Sequence, residues 1–234
     1  MFKKVISLLR GASFFQFTKF ECPICLGRFR RFFPYGISPR QNALCPQCGS
    51  LERHRLLWLY LRNKTNFFSH SLRVLHFAPE RVLNKIFGQC QNIDYVSADI
   101  SSPLAKVKMD ITDIAALDNS FDAILCIHVL EHVVEDQKAM RELFRVLKPG
   151  GWAILQVPVL REKTFEDPTV VLPEDRERIF GQKDHVRIYG RDYSERLEKA
   201  GFAVRVDSYS RSLGQSQVKK YCLFASEDTY FCTK

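Results

Sequence analysis

The sequence lacks any run of about eighteen apolar residues, so no transmembrane helix is predicted. It also lacks internal repeats and low-complexity tracts, which argues against a repeat array or a disordered chain. No small-x-small cleavage site follows the N-terminal apolar stretch, which Arg10 interrupts, so no signal peptide is expected. The 234 residues, 46% of them hydrophobic, predict one full globular domain with a small attachment. We expect a cytoplasmic protein without a disulfide framework.

Acidic residues are scarce in the N-terminal part of the chain. Residues 1–70 contain 12 Lys and Arg against 2 acids, whereas residues 71–234 contain 23 against 24. This basic segment predicts contact with a polyanion or an anionic surface, with a solvated basic face as the alternative. Residues 1–20 have the pattern of an amphipathic helix, which would pack on the domain or make peripheral contact with a membrane.

Four of the eight cysteines form two CxxC pairs in the stretch FECPICLGRFRRFFPYGISPRQNALCPQCGS. Two thiolate pairs separated by 19 residues are typical of a closed, tetrahedral Zn²⁺ site, here in a zinc ribbon over residues 21–50. A redox-active CxxC is the alternative, and the presence of a second, matched pair argues against it. A closed site is structural rather than catalytic. The predicted zinc ligands are Cys22, Cys25, Cys45 and Cys48.

Basic and aromatic residues are interleaved between the two cysteine pairs, in the stretch RFRRFFPYG that begins at Arg28. Such interleaving is typical of a surface that binds nucleic acid through phosphate contacts and base stacking. The same residues can instead supply the core and the charged face of a small ribbon. For so small a module we favour the core interpretation.

The chain after residue 50 alternates between helical and strand patterns. A helix over residues 51–63, with Ser50 as its N-cap, is expected to link the ribbon to the next domain. The alternation that follows predicts a doubly wound, parallel α/β sheet within residues 51–234. The expected strands are 72–77, 93–98, 106–109, FDAILCIHV, WAILQVP, FAVRVDSYS and YCLFAS.

The segment DNSFDAILCIHVLEHVVEDQKAMRELFRVLKPGGWAILQVP resembles the class I S-adenosylmethionine-dependent methyltransferases in its strand, its helix and its RVLKPGG turn. The resemblance runs from Leu72 to the end of the chain. It implies a Rossmann-like, seven-stranded methyltransferase sheet with S-adenosylmethionine as the cofactor. The combination of the predicted zinc ribbon with this following domain resembles a bacterial subgroup of the family.

The glycine-rich turn that this family has after its first strand is missing. In RVLHFAPERVL, His76 stands where the family has an acid, and Ala78 and Glu80 stand where it has glycines. S-adenosylmethionine has no phosphate, so an anion-cradling loop is not required. Ala78 would let the backbone approach the cofactor, while Glu80 would face its ammonium and the following helix N-terminus its carboxylate. An ordinary strand-to-helix turn is the alternative.

The other cofactor positions implied by the resemblance follow later strands. Asp99 would accept hydrogen bonds from both ribose hydroxyls and Asp110 from the adenine amino group, with Ile111 against the ring. Each aspartate could instead cap a turn. His128 would line the methionine end of the cofactor. The full implied set is His76, Phe77, Ala78, Glu80, Asp99, Ile100, Asp110, Ile111, Ile127 and His128.

Two histidines are candidate catalytic residues. His132 follows the fourth strand and acts as a general base or, as we favour, packs near the site. His185 lies in the long, charged, irregular connection 158–190, our candidate substrate lid. It would take a proton from the acceptor or hydrogen-bond the backbone. Nearby, Arg187 and Tyr189 would grip an anionic substrate or pack on the sheet edge.

The predicted function is methyl transfer from S-adenosylmethionine to a small or carrier-bound acceptor. RNA methylation through the basic ribbon is the second interpretation. It is disfavoured because the methyltransferase half is not basic and has no Asn-Pro-Pro-Tyr motif after the fourth strand. A non-catalytic binding protein is the third interpretation, and the altered turn is its only support.

Overall fold

The structure is a computed structural model that describes residues 19–36 and 38–234. The expected amphipathic segment and its membrane contact therefore lie outside the described residues, except at their last two positions. Within the described part of the chain, no helix has both the length and the apolar character needed to cross a bilayer.

Strands and helices alternate along most of the chain, as the apolar pattern predicts. The strands are β1 (Phe20–Glu21), β2 (Arg28–Phe29), β3 (Phe33–Tyr35), β4 (Arg40–Leu44), β5 (Leu72–Phe77), β6 (Ile93–Asp99), β7 (Val107–Lys108), β8 (Phe121–Ile127), β9 (Leu147–Gln156), β10 (Val159–Arg161), β11 (Phe165–Glu166), β12 (Arg187–Gly190), β13 (Ala203–Asp207) and β14 (Thr229–Thr233). The helices are α1 (Glu52–Lys64), α2 (Arg81–Phe87), α3 (Asp136–Val146), α4 (Pro173–Phe180), α5 (Tyr193–Lys199), α6 (Tyr209–Ser212) and α7 (Gly214–Tyr221), with a 3-10 turn at Leu130–His132.

The chain divides into two compact units. The ribbon unit contains the described residues up to Thr65 together with Tyr209–Glu227, and the sheet unit contains Asn66–Ser208 and Asp228–Lys234. The boundary expected between residues 50 and 51 does not coincide with this division. Helix α1 belongs to the ribbon unit, and so does the late segment that carries α6 and α7.

One sheet of seven strands forms the centre of the sheet unit. Its order is β13-β14-β9-β8-β5-β6-β7, and β14 runs antiparallel to both of its neighbours while the remaining pairs are parallel. The expected α/β class, with a Rossmann-like sheet of seven strands, is confirmed. The last two strands, β13 and β14, pair with each other in antiparallel orientation.

Buried apolar residues cover the sheet. The β8 residues Ala123 to Ile127 are all buried, as expected for a strand covered on both faces. Helix α3 contributes Ala139, Met140 and Leu143, whose spacing of one, three and four residues places them on a single helix face. This core fixes the central strands, and therefore fixes the position of the residues that follow each strand.

Several expected elements differ from the structure. YCLFAS is not a strand, because Tyr221 ends α7 and the last strand is β14 instead. Helix α3 ends at Val146, and both glycines of the RVLKPGG stretch, Gly150 (φ +76°) and Gly151, lie within β9. A Cβ on Gly151 would come within 2.9 Å of the Asp122 carbonyl, so the strand needs glycine there.

The connection 158–190 is not irregular. It contains β10, β11, α4 and β12, and the three strands form a small sheet in the order β10-β12-β11. Asp192, the residue before helix α5, accepts hydrogen bonds from the backbone N–H and hydroxyl of Thr164. This side chain therefore joins the start of α5 to the connection 158–190.

The ribbon unit is built around Arg55, which is fully buried. Its guanidinium donates hydrogen bonds to the carbonyls of Ala43, Ser50, Tyr221 and Cys222. Its guanidinium carbon also lies 4.8 Å from the centre of the Phe32 ring. One side chain thus joins the ribbon, helix α1 and the end of α7 within this unit.

Replacing Arg55 with Met should destabilise the ribbon unit by at least about 3 kcal/mol, because two buried and two half-buried carbonyls lose their donor. Arg62→Met, an exposed change on the same helix, should cost about 0.5 kcal/mol or less. Urea unfolding followed by circular dichroism measures both. Equal stability of the two variants would contradict the central role of Arg55.

Candidate active site

The carboxyl ends of three neighbouring strands meet at one edge of the sheet. In the register of the sheet, Phe77 at the end of β5 pairs with Ala98 on one side and with Cys126 on the other. The residues that follow β5, β6 and β8 are therefore neighbours. In open α/β sheets, this edge is where ligands bind.

The turn after β5 has a left-handed residue at its first position. Ala78 has φ +48°, and its N–H donates a hydrogen bond of 2.9 Å to the Ala98 carbonyl. This conformation normally favours glycine, because a side chain clashes with the backbone there. Alanine carries the smallest such side chain, so the turn keeps a backbone shape typical of glycine without containing one.

His76 is fully buried beneath this turn. Its Nδ1 lies 2.8 Å from the Tyr95 hydroxyl, and its Nε2 lies 3.8 Å from Oε2 of Glu80. Burial first, and then the charge of Glu80, raise the pKa of Tyr95, so its hydroxyl stays protonated and can donate to Nδ1. The proton of the neutral imidazole is then on Nε2 and faces Glu80. His76 would therefore influence a bound ligand only through the carboxylate of Glu80.

Asp99 and Asp110 both cap the turns that follow them. Oδ1 of Asp99 accepts from the N–H groups of Ser101 (2.7 Å) and Ser102 (2.6 Å), and Oδ1 of Asp110 accepts from the N–H and hydroxyl of Thr112. None of the described residues hydrogen-bonds Oδ2 of either aspartate. One oxygen of each aspartate therefore caps a turn, as the alternative predicts. The second oxygen, Oδ2, is available to accept a hydrogen bond from a ligand.

The other residues of the implied cofactor set differ in exposure. Phe77, Ile111 and Ile127 are buried, whereas Ile100 is 58% exposed. His128 also has a left-handed backbone, with φ +55°, and its N–H donates to the carbonyl of Gln156 at the end of β9.

The turn after β8 and the segment before β12 bring three further polar side chains together. Nδ1 of His128 lies 3.2 Å from Oε1 of the buried Glu131. The His132 and His185 rings meet edge to face at 4.7 Å. Metal-ligating atoms of Glu131, His132 and His185 all lie within 4.8 Å of one another. Both histidines were predicted from the sequence as candidate catalytic residues, whereas Glu131 was not. Its only indication in the sequence is that an acidic residue stands between Leu130 and His132.

His185 is 8% exposed, and its ring lies beside that of His132. Burial first, and then the neighbouring His132, lower the pKa of His185, so its ring is neutral at neutral pH. Both roles expected of His185, proton acceptance and a hydrogen bond to the backbone, remain predictions.

Arg187 and Tyr189 have structural contacts. Arg187 is buried and donates to the carbonyls of Leu130 and Val134 and to the carboxylate of Glu166. The Tyr189 hydroxyl, fully buried, donates to Asp136 at 2.7 Å. The structure therefore shows contacts with protein groups for both residues, in agreement with packing rather than with binding of an anionic substrate.

The four paired cysteines also converge, within the ribbon unit. Sγ of Cys22 lies 3.6 Å from Sγ of Cys48, and Sγ of Cys25 lies 3.7 Å from Sγ of Cys45. Two sulfurs at about 2.3 Å from one tetrahedral ion are about 3.8 Å apart, so the geometry fits such an ion. Burial, and then the nearby Cys22 and Cys48, raise the pKa of Cys25 to about 11. A bound cation would reverse this effect.

The residues around the cysteines support the same geometry. Leu26 and Gly49, each directly after a pair, have φ +59° and +72°. Ser50, expected as a helix N-cap, instead places its hydroxyl 3.3 Å from Sγ of both Cys22 and Cys48. Hydrogen bonds of this kind orient metal-ligating side chains. Of the interleaved aromatics, Phe29 and Phe32 pack against the cysteines, whereas Phe33 and Tyr35 are exposed.

Comparison with known proteins identifies the class of the sheet unit. Residues 75–155 match the family described as "Methyltransferase domain". A methyltransferase from Archaeoglobus fulgidus superposes with a TM-score of 0.51 at 16% identity, covering 76% of this chain and 93% of that one. One from Mesorhizobium loti gives 0.51 at 11% identity, covering 76% and 97%. Residues 75–155 thus match a methyltransferase domain, and the sheet unit has the fold of S-adenosylmethionine-dependent methyltransferases.

Curated relatives share shorter segments. "Demethylmenaquinone methyltransferase" of Clavibacter sepedonicus is 47% identical over 49 residues, which are 21% of this chain and 20% of that protein. "Ubiquinone/menaquinone biosynthesis C-methyltransferase UbiE" of Brucella canis is 28% identical over 144 residues, which are 55% and 49%. The chain thus spans half or less of the length of these relatives.

Replacing Ala78 with Gly should stabilise the protein by up to about 1 kcal/mol, because the left-handed backbone no longer carries a side chain. Ala203→Gly, in the exposed strand β13, should instead cost about 0.5–1 kcal/mol. Urea unfolding compares the two changes. A loss of stability in both would argue against strain at Ala78.

Proposed function

We propose that this protein transfers a methyl group from S-adenosylmethionine to a small or carrier-bound acceptor. The observation that carries the proposal is the left-handed Ala78 turn, tied to Ala98 one residue before Asp99. When bound, the cofactor supplies an electrophilic methyl group on a sulfonium. The protein's task is to hold both partners and exclude water.

The residues of the turn fit the cofactor's chemistry without glycine. The small Ala78 lets the backbone approach, and Glu80, with a side chain 18% exposed, offers a carboxylate to an ammonium. Oδ2 of Asp99 is free to accept from ribose hydroxyls, and Oδ2 of Asp110 from an adenine amino group. His128, the residue after β8, would face the methionine end of the cofactor. Phe77, Ile100, Ile111 and Ile127 would supply backbone or apolar contacts.

The acceptor is proposed from two features. The ordered segment 158–190 follows β9 and bonds to the turn after β8, as Val186 N–H donates to the Glu131 carbonyl. It is therefore placed to cover a small substrate. The curated relatives are named for menaquinone and ubiquinone biosynthesis, which supports a small acceptor more than RNA. His132 and His185 are the proposed acceptor-side residues.

A second proposal concerns the ribbon unit. We propose that Cys22, Cys25, Cys45 and Cys48 bind a structural Zn²⁺ ion, which the sulfur distances and the Ser50 hydroxyl support. The ribbon core is small, so an ion would add the stability that few buried residues can supply.

Asp99→Asn should weaken S-adenosylmethionine binding at least about tenfold, because Asn keeps one oxygen for the turn but loses an acceptor for the ribose. The matched control is Asp94→Asn, on the exposed face of the same strand. Calorimetric titration of the cofactor and of S-adenosylhomocysteine measures both. No saturable binding by folded wild-type protein would refute the proposed function.

Cys45→Ser should reduce the zinc content of the purified protein from about one ion per chain to near zero, since three remaining thiolates leave the tetrahedral site incomplete. Cys90→Ser, outside the cluster, should leave it unchanged. Metal analysis by atomic absorption gives the result. Full zinc content in Cys45→Ser would exclude the site.

A further inference from the structure

We propose that Glu131, His132 and His185 bind a divalent metal ion that holds a hydroxyl group of the methyl acceptor. The ion site stands on the geometry of these residues alone, while its role toward the acceptor rests on the proposed function. The site is separate from the cysteine cluster, which lies in the other unit.

The donor set fits an ion. A carboxylate oxygen and two imidazole nitrogens lie within 4.8 Å of one another. Three ligands at about 2.1 Å from one ion lie about 3.0–3.6 Å from one another, so side-chain movements of up to about 1 Å would close the site. Two histidines and one carboxylate are a common ligand set for divalent transition metals, and they leave positions open for a substrate.

Glu131 supplies an independent reason for a cation. Its side chain is 3% exposed, and Oε1 faces Nδ1 of His128. Oε2 is buried and accepts no hydrogen bond from any residue in the described part of the chain. A buried carboxylate oxygen without a partner is costly, and a cation at the two histidines would compensate it.

The second ring nitrogen of His132 has a partner. Nδ1 of His132 lies 3.2 Å from Oδ2 and 3.3 Å from the carbonyl oxygen of Asp184. This leaves Nε2 of His132 for an ion. Metal-ligating histidines usually have such a partner, because it fixes the tautomer and the ring. The His185 ring is 8% exposed and packs edge to face on the His132 ring at 4.7 Å.

The position of the site suggests its role. Glu131 and His132 follow the end of β8, and β8 neighbours β5, whose turn is the proposed cofactor site. An acceptor hydroxyl bound to the ion would lose its proton to water more readily. Its oxygen then bonds to the methyl carbon as the carbon–sulfur bond breaks. The sulfur keeps the electron pair, and a methyl ether and S-adenosylhomocysteine leave.

The test is a titration of full-length, zinc-loaded protein with Mn²⁺, followed by the electron paramagnetic resonance signal of free Mn²⁺. Mn²⁺ prefers oxygen and nitrogen ligands to thiolates, so it reports on this cluster and not on the cysteines. We expect saturable binding of about one ion per chain, weakened at least about tenfold in Glu131→Gln and in His185→Asn. The control His70→Asn changes an exposed histidine outside the cluster and should bind like wild type.

Asp184→Ala guards against misfolding, since this side chain is 70% exposed and its loss should weaken Mn²⁺ binding about tenfold without unfolding the protein. No saturable binding in wild type, or equal binding in all variants, would overturn the ion site. Cofactor titration on the same samples separates the two proposals. Cofactor binding without Mn²⁺ binding would overturn only the ion site, whereas Mn²⁺ binding without cofactor binding would overturn its role in methyl transfer.

Discussion

The buried guanidinium of Arg187 determines where the chain lies after it leaves the central sheet. It donates to the carbonyls of Leu130 and Val134, which belong to the turn after β8, and to Glu166 in the neighbouring small sheet. Because His185 is only two residues away, fixing Arg187 also places that ring beside His132. The candidate acceptor side of the site therefore depends on a buried cation that bonds to the turn after β8 and to Glu166.

Different interactions stabilise the two units. The sheet unit buries a continuous apolar core, which a chain of its length can supply. In the ribbon unit, the cluster beside the cysteines buries only Cys22, Phe32 and Cys45, and helix α1 buries further apolar residues. Arg55 bonds to both parts of the chain that form this unit, because Tyr221 and Cys222 in the late segment accept from it as Ala43 and Ser50 do.

The turn after β5 shows how a motif can change while its backbone geometry remains. The sequence predicted that a small residue could replace glycine, and Ala78 does adopt the left-handed backbone. The sequence did not predict that His76 would be buried under the turn with Glu80 beside it. That arrangement depends on Tyr95 from β6, which no local pattern relates to His76.

Local patterns determined the α/β class, the central strands and the two cysteine pairs, because periodicity and residue spacing act over short distances. They also located the strand-end residues Asp99 and Asp110. Only the tertiary structure decided that residues 209–227 leave the sheet unit, that Arg187 has structural contacts, and that Glu131 meets two histidines. These outcomes depend on contacts between residues distant in sequence, where burial and unsatisfied hydrogen bonds override local propensity.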